Sequence, residues 1–422
     1  MGMPYFRSFR IVCEQRLIPL VETLLAEEGY ELEPEPFSPW CRKLLAEPVP
    51  LGRSLAAFFG YIYIQDRSSM LPPLALAPAP GECALDLCAS PGSKASFLAQ
   101  LTGPAGFVLA NEPSPARLGT LRANMGQMNL IAAATCSYGG QSIPLAPSSW
   151  NAILLDPPCS GWGTAGKNPR VLKLWRGEKV ERLIRLQQML LRRAALLLQP
   201  GGRLIYSTCT TNVAENEAQV AFAERELGLE RVPLAPFPGF FWKEEPGGEG
   251  TLRVDGARSQ AQDFYLALLR KPATSPCTAK NFAGGKPSLS GRILPLSQLA
   301  GPCCDPSRLP PGRAASFGEG VYFLPDGSRN LLTPGFVWQG ASLGRLAGGL
   351  FSPSPRLRAF MPDPMRHPGH SLVLDDVAEV RRLLSGRSLP TDLPGKEAAL
   401  WWRGLPLGRI AVRQGRAIAV FR

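Results

Sequence analysis

Two cysteines follow short apolar stretches of the sequence in the same way. Residues 153–155 (ILL) precede Cys159, and residues 204–205 (LI) precede Cys209, fifty residues later. Short apolar runs of this kind are typical of buried parallel strands. In an open α/β sheet, ligands bind beyond the carboxyl ends of the strands, where loops are free to carry functional groups. The sequence therefore predicts an active site in which two thiols meet at one edge of a sheet.

A pair of thiols suits covalent catalysis on cytosine, whose carbon 5 is a poor nucleophile. A thiolate that adds to carbon 6 turns the ring into an enamine, so that carbon 5 can attack an activated methyl group. The adduct must then lose the carbon 5 proton and expel the thiol, which a second group can assist. A lone cysteine is commonly a small apolar packing residue. Here each one precedes a hydroxyl residue, Ser160 or Thr210, and this repetition favours a shared chemical role.

Basic residues follow the first cysteine closely. Lys167 and Arg170 lie within eleven positions of Cys159. An unperturbed thiol, with a pKa of about 8.5, is mostly protonated at neutral pH, and a nearby cation favours the thiolate. These residues could serve that purpose or could contact a phosphate, and the sequence leaves both interpretations open.

A second candidate site lies earlier in the chain, where strand, turn and helix alternate. A predicted strand over 83–89 leads into the turn 90–94 (SPGSK) and then into a helix. A glycine-containing turn lets backbone N–H groups approach a ligand, and a helix N-terminus favours anionic groups. Glu112, at the end of the next predicted strand, is placed to bind ribose hydroxyls. The pattern predicts a nucleoside cofactor, although it also fits an ordinary tight turn followed by a surface glutamate.

Composition narrows the class of protein. The 422 residues carry a formal net charge of +12, with a pI near 9.4, which favours a polyanionic partner such as nucleic acid. Ten Lys/Arg face two Glu over 161–203, and twelve face six acids over 353–422. No apolar run reaches the roughly 20 residues of a membrane span, and no leader segment is recognisable at the start, so we expect a cytoplasmic protein. Without CxxC pairs and with two histidines, no metal site is expected.

The chain divides into four predicted parts. Residues 1–75 form a small α/β RNA-binding segment, and 76–272 form an α/β domain in which strands and helices alternate. A Pro/Gly-rich linker follows over 273–313, and a β-rich RNA-binding module ends the chain over 314–422. Four arginines of this module are candidate phosphate contacts, namely Arg403, Arg409, Arg413 and Arg416.

Four segments of the sequence resemble the NOL/NOP/Sun family of S-adenosylmethionine-dependent RNA cytosine-5 methyltransferases. They are LDLCASPGSKAS (85–96), LANEPSPARLGTLRANM (109–125), ILLDPPCSGWGTAGKNP (153–169) and LIYSTCTTNVAENEAQV (204–220). The resemblance covers most of residues 1–271 and implies a class I, Rossmann-like methyltransferase domain. The end of the chain, with VYFLP (321–325) and WWRGLPLGRIAV (401–412), resembles the PUA-like carboxyl-terminal module of bacterial F-type members that act on 16S ribosomal RNA.

The resemblance also implies roles for individual residues. Cys209 would add to the base, Cys159 would assist product release, and Asp156 would contact both cofactor and cytosine. Lys167 matches a lysine that recurs after the motif with Cys159. The implied S-adenosylmethionine pocket consists of Cys88, Ala89, Ser90, Pro91, Gly92, Ser93, Lys94, Glu112, Arg117 and Asp156.

One position departs from the family pattern. The third strand of relatives usually ends in an aspartate that contacts adenine, and Gly139 stands there in this chain. We therefore expect adenine to be held by backbone groups, by Ser137 or by Tyr138.

Several alternatives for function stay open at this point. Ribosomal RNA is the favoured substrate, with transfer RNA next, and a monomer is the simplest assembly. A methyltransferase acting on an exocyclic nitrogen would typically have an aromatic residue where Cys159 stands, and would have no use for Cys209. A catalytically idle RNA-binding assembly factor would find its best support in Gly139.

Overall fold

The first part of the chain is an antiparallel sheet backed by two helices. The structure, a computed structural model, describes residues 7–166, 168–276, 291–333 and 335–421. The sheet has the strand order β2-β3-β1-β4. Its elements are β1 (Ser8–Ile11), α1 (Ile18–Glu27), β2 (Glu31–Pro34), β3 (Cys41–Ala46), α2 (Leu55–Phe58) and β4 (Ile62–Ile64). The apolar spacing over 17–31 predicts a helix that stops at Gly29, and α1 is this helix, with Gly29, at φ of 85°, just beyond its end.

Alternating strands and helices build the central sheet. In chain order the elements are α3 (Leu71–Leu76), β5 (Cys83–Asp86), α4 (Ser93–Thr102), β6 (Phe107–Asn111), α5 (Pro115–Gln127), β7 (Ala133–Cys136), β8 (Trp150–Leu155), α6 (Val171–Leu174), α7 (Glu178–Leu197), β9 (Leu198–Thr208), α8 (Glu217–Leu227), β10 (Glu230–Val232), β11 (Leu252–Val254), α9 (Gly256–Ser259) and β12 (Phe264–Arg270). The strand order runs β10-β12-β9-β8-β5-β6-β7. Strands β5 to β9 are parallel neighbours, and β12 is inserted antiparallel beside β9. The predicted Rossmann-like fold class is confirmed.

Helix α7 and strand β9 meet without a loop. The apolar spacing predicts a helix over roughly 180–198, and the structure has it as α7, with Glu178 and Glu181 in its first turn, where negative charge suits the helix dipole. The sequence predicts that 200–202 (PGG) separates helix from strand, whereas the structure places these residues inside β9. The ladder to β8 shifts register between Trp150 and Ala152, and this irregularity accommodates a proline that cannot donate a ladder hydrogen bond.

The last part of the chain contains two further β-sheets. Its elements are β13 (Arg292–Leu294), β14 (Gly312–Phe317), β15 (Gly320–Pro325), β16 (Trp338–Gln339), β17 (Ala341–Ala347), β18 (Leu350–Pro353), β19 (Ser371–Leu374), α10 (Val377–Leu384), β20 (Leu389–Pro390), β21 (Glu397–Trp402), β22 (Leu405–Arg413) and β23 (Arg416–Ala419). One sheet has the order β13-β14-β15-β17-β18, and the other has the order β19-β21-β22-β23-β20. Strand β16 instead pairs with β7 and extends the central sheet.

The predicted linker is partly folded. Residues 277–290 lie outside the described residues, but β13 and the start of β14 fall within the range 273–313. Leu294 and Leu299 are buried in the core of the first carboxyl-terminal sheet. Their burial explains why a Pro/Gly-rich stretch nevertheless contributes a strand.

The two ends of the chain share one hydrophobic core. Phe9 and Val21 from the amino-terminal sheet and Trp402 and Ile410 from the last sheet belong to the same buried cluster. The Tyr61 hydroxyl donates to the backbone carbonyl of residue 406 at 2.5 Å. Since burial of apolar surface is the main favourable term in folding, the two ends stabilise each other.

Arg10 on β1 is buried, although the sequence predicts a projecting side chain. It is 0% exposed, its Nη2 donates to Ser96 Oγ at 2.6 Å, and it also contacts Gln100. Its guanidinium lies 4.6 Å from the centre of the Phe97 ring. Desolvation lowers the pKa of Arg10 to about 10. The prediction was wrong because the partners on α4 cannot be seen in the local strand pattern.

A close backbone approach joins the amino-terminal sheet to α5. Gly60 has φ of 70°, and a Cβ at this position would lie 1.9 Å from the carbonyl oxygen of Gln127. The Gln127 side chain donates in turn to the Ala57 carbonyl at 2.8 Å. The contact therefore requires glycine both for its conformation and for its lack of a side chain.

Within the described ranges, none of the helices combines the length and apolarity needed to cross a bilayer.

We predict that Gly60→Ala lowers the free energy of unfolding by about 2–4 kcal/mol, because it adds a steric clash to the backbone strain. The matched control is Gly81→Ala. Gly81 also has positive φ, of 83°, but a Cβ there meets nothing within 4 Å. The control should lose only about 1–2 kcal/mol. Urea denaturation of both variants checks the difference, and equal losses would contradict a tight joint at Gly60.

Candidate active site

Adjacent parallel strands bring the two predicted thiols into contact. Strands β8 and β9 are parallel neighbours, with Leu155 opposite Tyr206. The loops that follow the two strands therefore leave the sheet at the same edge. The loops that follow place Cys159 Sγ 3.4 Å from Cys209 Sγ. Both cysteines are partly buried. One reactant could therefore be reached by either sulfur.

Asp156 lies beside the thiols and is held from two sides. Its Oδ2 accepts a hydrogen bond from Lys94 Nζ at 2.7 Å, and its Oδ1 accepts one from Ser207 Oγ at 2.8 Å. Lys94 also lies 5.4 Å from the centre of the Phe264 ring. A carboxylate with both oxygens engaged keeps its orientation, which a positioning group needs.

Electrostatics distinguish the two sulfurs. The hydrogen bond from Cys159 lowers the pKa of Cys209, and the positive charge of Lys94 adds to this effect, while burial and Asp156 oppose it. The same contact, together with burial, raises the pKa of Cys159 well above its ordinary value. Burial alone would lower the pKa of Lys94, but Asp156 and Cys209 raise it, so the lysine stays charged. The arrangement favours a thiolate at Cys209 that accepts a hydrogen bond from a protonated Cys159.

A buried glutamate ties the two cysteine loops together. Glu215 is 0% exposed. It accepts hydrogen bonds from Ser160 N at 2.9 Å and Ser160 Oγ at 2.5 Å, and from Gln187 Nε2 at 3.0 Å. The Ser160 hydroxyl lies 2.7 Å from the Thr210 hydroxyl, and Tyr206 Oη donates to the Glu215 carbonyl at 2.7 Å. The hydroxyl residues after the two cysteines thus contact each other directly, and the Glu215 carboxylate binds Ser160 of the first loop.

The predicted cofactor turn is a compact loop between β5 and α4. Ala89 N donates to the Asn111 carbonyl at 2.9 Å, which joins the turn to the end of β6. Gly92 has φ of 108°, and a Cβ there would lie 3.0 Å from Leu121. Burial raises the pKa of Cys88 well above its ordinary value, which fits a thiol packed against the core. The loop brings together Cys88, Ala89, Ser90, Pro91, Gly92, Ser93 and Lys94.

Glu112 and Arg117 lie beside this turn. Glu112 is 1% exposed, and its Oε2 lies 3.5 Å from Arg117 Nη1. Arg117 Nη2 donates to the Ser90 carbonyl at 2.9 Å, and the Ser90 hydroxyl donates to the Arg117 carbonyl at 3.0 Å. The predicted residues from the two neighbouring strand ends therefore form one connected wall.

Asp86 carries an acceptor that suits a ligand with hydrogen-bond donors. It ends β5, is 1% exposed, and its Oδ2 has no partner among the described residues. Burial raises the pKa of Asp86 to about 7, although Lys94 opposes the shift. A buried carboxyl oxygen without a donor is costly. Together with the glycine-lined turn and Glu112, it fits a nucleoside whose hydroxyl or amino groups would supply the missing donor.

The region around Gly139 narrows the alternatives for adenine. The Tyr138 ring stacks on Phe336 with ring centres 4.8 Å apart, and its hydroxyl accepts from Val337 N at 2.8 Å. Tyr138 is thus engaged by the carboxyl-terminal part of the chain. The Ser137 hydroxyl makes only a long contact, of 3.4 Å, with a backbone carbonyl. Ser137 and backbone groups are the candidates that remain for the contact with adenine.

Of the two predicted basic residues after Cys159, only Arg170 is described, because Lys167 lies outside the described residues. Arg170 is exposed at the start of α6. In the part of the chain that the structure describes, no group of three or more His, Cys, Asp and Glu side chains could hold a metal ion.

Sequence reasoning missed Asp86, Ser207 and Glu215 as parts of the site. Asp86 follows an apolar strand just as Asp156 does, so this signal was available. The role of Glu215 depends on contacts with residues up to 55 positions away, and no local pattern identifies such an acceptor.

Comparisons with known proteins find similar methyltransferases. Residues 73–270 match the family described as 16S rRNA methyltransferase RsmB/F. Ribosomal RNA small subunit methyltransferase F of Shewanella loihica is 35% identical over 266 residues, which cover 60% of this chain and 54% of that protein. The protein of the same name from Erwinia tasmaniensis is 34% identical over 297 residues, covering 68% of this chain and 61% of the relative. The chain thus spans 54% and 61% of the length of these two relatives.

Solved structures are similar over the same part of the chain. A methyltransferase homolog protein from Pyrococcus horikoshii has 30% sequence identity and a TM-score of 0.54, covering 64% of this chain and 87% of that one. NSun6 from the same organism, solved with SFG, has 20% identity and a TM-score of 0.55, covering 64% of this chain and 91% of that one. The second likeness concerns the fold alone.

We predict that Cys209 is alkylated by iodoacetamide with a pH midpoint below the value of about 8.5 of an ordinary thiol. The thiolate is the reactive form, so a lowered pKa makes Cys209 reactive at lower pH. Cys159→Ala removes the hydrogen-bond donor and should move the midpoint to higher pH. Mass spectrometry of the Cys209 peptide follows the reaction, with Cys83→Ser as a control remote from the pair. An unchanged midpoint in Cys159→Ala would contradict the proposed hydrogen bond.

Proposed function

We propose that this chain, whose residues 73–270 match the RsmB/F methyltransferase family, methylates carbon 5 of a cytosine in RNA, with S-adenosylmethionine as the methyl donor. The observation that carries this proposal is the 3.4 Å contact between Cys159 and Cys209 beside Asp156. Two thiols in contact at the carboxyl edge of this sheet suit covalent addition to a pyrimidine ring and its reversal.

The cofactor would occupy the pocket between the turn 88–94 and the end of β6. Asp86 and Glu112 offer buried carboxylates to its hydroxyl and amino groups, and Lys94 keeps Asp156 in place. When bound, S-adenosylmethionine supplies an electrophilic methyl group.

Cys209 begins the proposed reaction as a thiolate. Its sulfur forms a bond to carbon 6 of the cytosine, and the electron pair of the ring double bond moves to carbon 5, which can then accept the methyl group. Asp156, aligned by Lys94 and Ser207, binds the ring on the side of the amino group. The hydrogen bond from Cys159 keeps Cys209 ionised until it attacks.

Cys159 acts in the second half of the proposed reaction, after the methyl group has been transferred. Once the Cys209 sulfur is bonded to carbon 6 it carries no negative charge, so the interaction that holds the proton on Cys159 is lost. Cys159 then releases its proton, which is the net proton of the reaction, and takes up the proton from carbon 5. The electron pair left at carbon 5 re-forms the double bond, the bond from carbon 6 to sulfur breaks, and Cys209 departs as a thiolate beside a protonated Cys159.

Ribosomal RNA of the small subunit is the proposed substrate. The relatives from Shewanella loihica and Erwinia tasmaniensis carry that substrate in their names. The formal charge of +12 suits a polyanion. Acting on a base in folded RNA requires that the base be unpaired or turned out of its helix.

We predict that Cys209→Ser lowers methyl transfer by at least about a thousandfold and forms no adduct, because the nucleophile is lost. Cys159→Ser should instead accumulate a covalent protein–RNA species, because release is blocked. The measurements are transfer of a labelled methyl group to in vitro transcribed 16S ribosomal RNA and a denaturing gel.

Cys83→Ser, at the opposite edge of the sheet, is the control and should behave as the unmodified protein. Adducts formed by Cys209→Ser but not by Cys159→Ser would exchange the two roles. No methyl transfer by the unmodified protein to small-subunit or transfer RNA, despite cofactor binding, would favour an idle assembly factor.

A second prediction concerns the pH dependence of cofactor binding. A ligand donor to Asp86 favours its ionised form, so affinity should rise with pH through the pKa of about 7. By linkage, affinity at pH 6 should be about tenfold lower than at pH 8. Asp86→Asn should remove this part of the dependence, whereas Asp392→Asn, an exposed control, should retain it. Isothermal titration with S-adenosylmethionine tests this, and identical pH profiles for the protein and Asp86→Asn would exclude the contact.

A further inference from the structure

A cleft lies where three parts of the chain meet. It has a volume of about 650 Å³. It is lined by residues within 12–17, which precede α1, by the residues after α5 and by strands of the last sheet. We propose that this cleft binds a phosphodiester group of the substrate RNA, at a distance from the thiols. This inference rests on the proposed function for the identity of the polyanion, and on the cleft alone for the anion site.

Arg358 is the central observation. It is 8% exposed, and its Nε and Nη1 have no hydrogen-bond partner among the described residues. Its Nη2 donates to the Gly60 and Met128 carbonyls at 3.3 Å, and its guanidinium lies 3.9 Å from the centre of the Tyr61 ring. The side chain is therefore held in place while two of its donor nitrogens stay unused. Each can donate to an acceptor oxygen, and arginine is well suited to phosphate.

A second unpartnered donor lines the same cleft. Trp401 is 5% exposed, and its Nε1 has no partner within the described part of the chain. An indole N–H can only donate. Since buried donors are normally satisfied, both side chains are suited to a ligand that brings acceptors and no donors of its own, as a phosphodiester does.

The charge of the lining also favours an anion. Its ionised side chains are Arg16, Arg308, Arg358, Arg403, Glu14 and Asp363. Arg16 pairs with Glu14 at 2.7 Å, and Arg403 pairs with Glu27 outside the cleft at 2.5 Å. After these pairs are set aside, Arg308 and Arg358 remain together with one acidic residue, Asp363. The lining therefore keeps a net positive charge.

The position of the cleft fits a long substrate. Helix α5 runs back from the carboxyl edge of the sheet, and Met128 and Asn129 follow its end. Cys159 and Cys209 lie at the carboxyl edge, so the length of α5 separates the two sites. Its 13 residues span about 20 Å, or about six nucleotides at 3.4 Å each. RNA whose base reaches the thiols is long enough to reach the cleft as well.

The first test measures binding of the full chain to in vitro transcribed 16S ribosomal RNA at several salt concentrations. Arg308→Gln and Arg358→Gln should each weaken binding and reduce the slope of log affinity against log salt by about 1. Arg345→Gln, an exposed control outside the cleft, should change neither. Titration with S-adenosylmethionine checks folding, because the cofactor pocket lies at the other edge of the sheet and its affinity should stay constant.

A second test does not depend on either arginine. The photo-crosslinker p-benzoylphenylalanine placed at Met365, which lines the cleft and is 88% exposed, should crosslink to the RNA. The same group placed at Leu350, 78% exposed and outside the cleft, should not. Unchanged salt slopes for Arg308→Gln, or the absence of a crosslink at residue 365, would overturn the cleft while leaving the proposed function intact.

Failure of the proposed function has a different signature. RNA binding with the expected salt slopes and crosslink, but without methyl transfer, would support the cleft and reject the reaction. Equal binding of a DNA of the same sequence and length would keep the anion site and reject RNA as its specific partner.

Discussion

The active site depends on one constraint, which is that β8 and β9 are parallel neighbours whose loops leave the sheet side by side. Neighbouring strands lie about 4.8 Å apart, so residues just beyond their ends must come close. The loops also carry backbone and hydroxyl donors that burial removes from water. Glu215 accepts hydrogen bonds from two such donors, both of Ser160, and a further one from Gln187 on α7. The sheet brings the sulfurs together, and one buried carboxylate keeps the loops from separating.

The buried charges of the site are mutually dependent. Lys94 stays charged because of Asp156, and Asp156 is oriented by Lys94 and Ser207. The pKa of Cys209 is lowered by both Cys159 and Lys94. Removing one partner of such a set leaves another buried charge without compensation. The pair of thiols is therefore more than two reactive groups in proximity. The opposite pKa shifts of the two thiols favour the proton on Cys159, and in the proposed reaction covalent bonding of Cys209 would release it.

Local sequence patterns predicted the central domain well because its strands are buried on both faces and its turns contain glycine. The positions of Cys159, Cys209 and Asp156 follow from strand ends alone, and so does the turn 88–94. The remaining features depend on contacts between distant residues. Arg10 is buried by side chains of α4, and β16 joins the central sheet from just over 200 positions beyond β7. Apolar periodicity contains no information about which distant element covers a given face.

The shared core of the two chain ends has a consequence for how RNA can be recognised. Trp402 and Phe9 pack in one cluster, although nearly 400 positions separate them. Asn129 donates to the carbonyl of Arg356 at 3.0 Å and accepts from Arg358 N at 2.7 Å, so the same region is also fastened to the end of α5. A surface made at this junction exists only once all three parts have folded together. The central domain alone would keep the thiols and the cofactor pocket but would lack the cleft, because Arg358 and Trp401 come from the last part of the chain. In the proposed function, chemistry and substrate anchoring therefore belong to different parts of the chain, and the junction sets the distance between them.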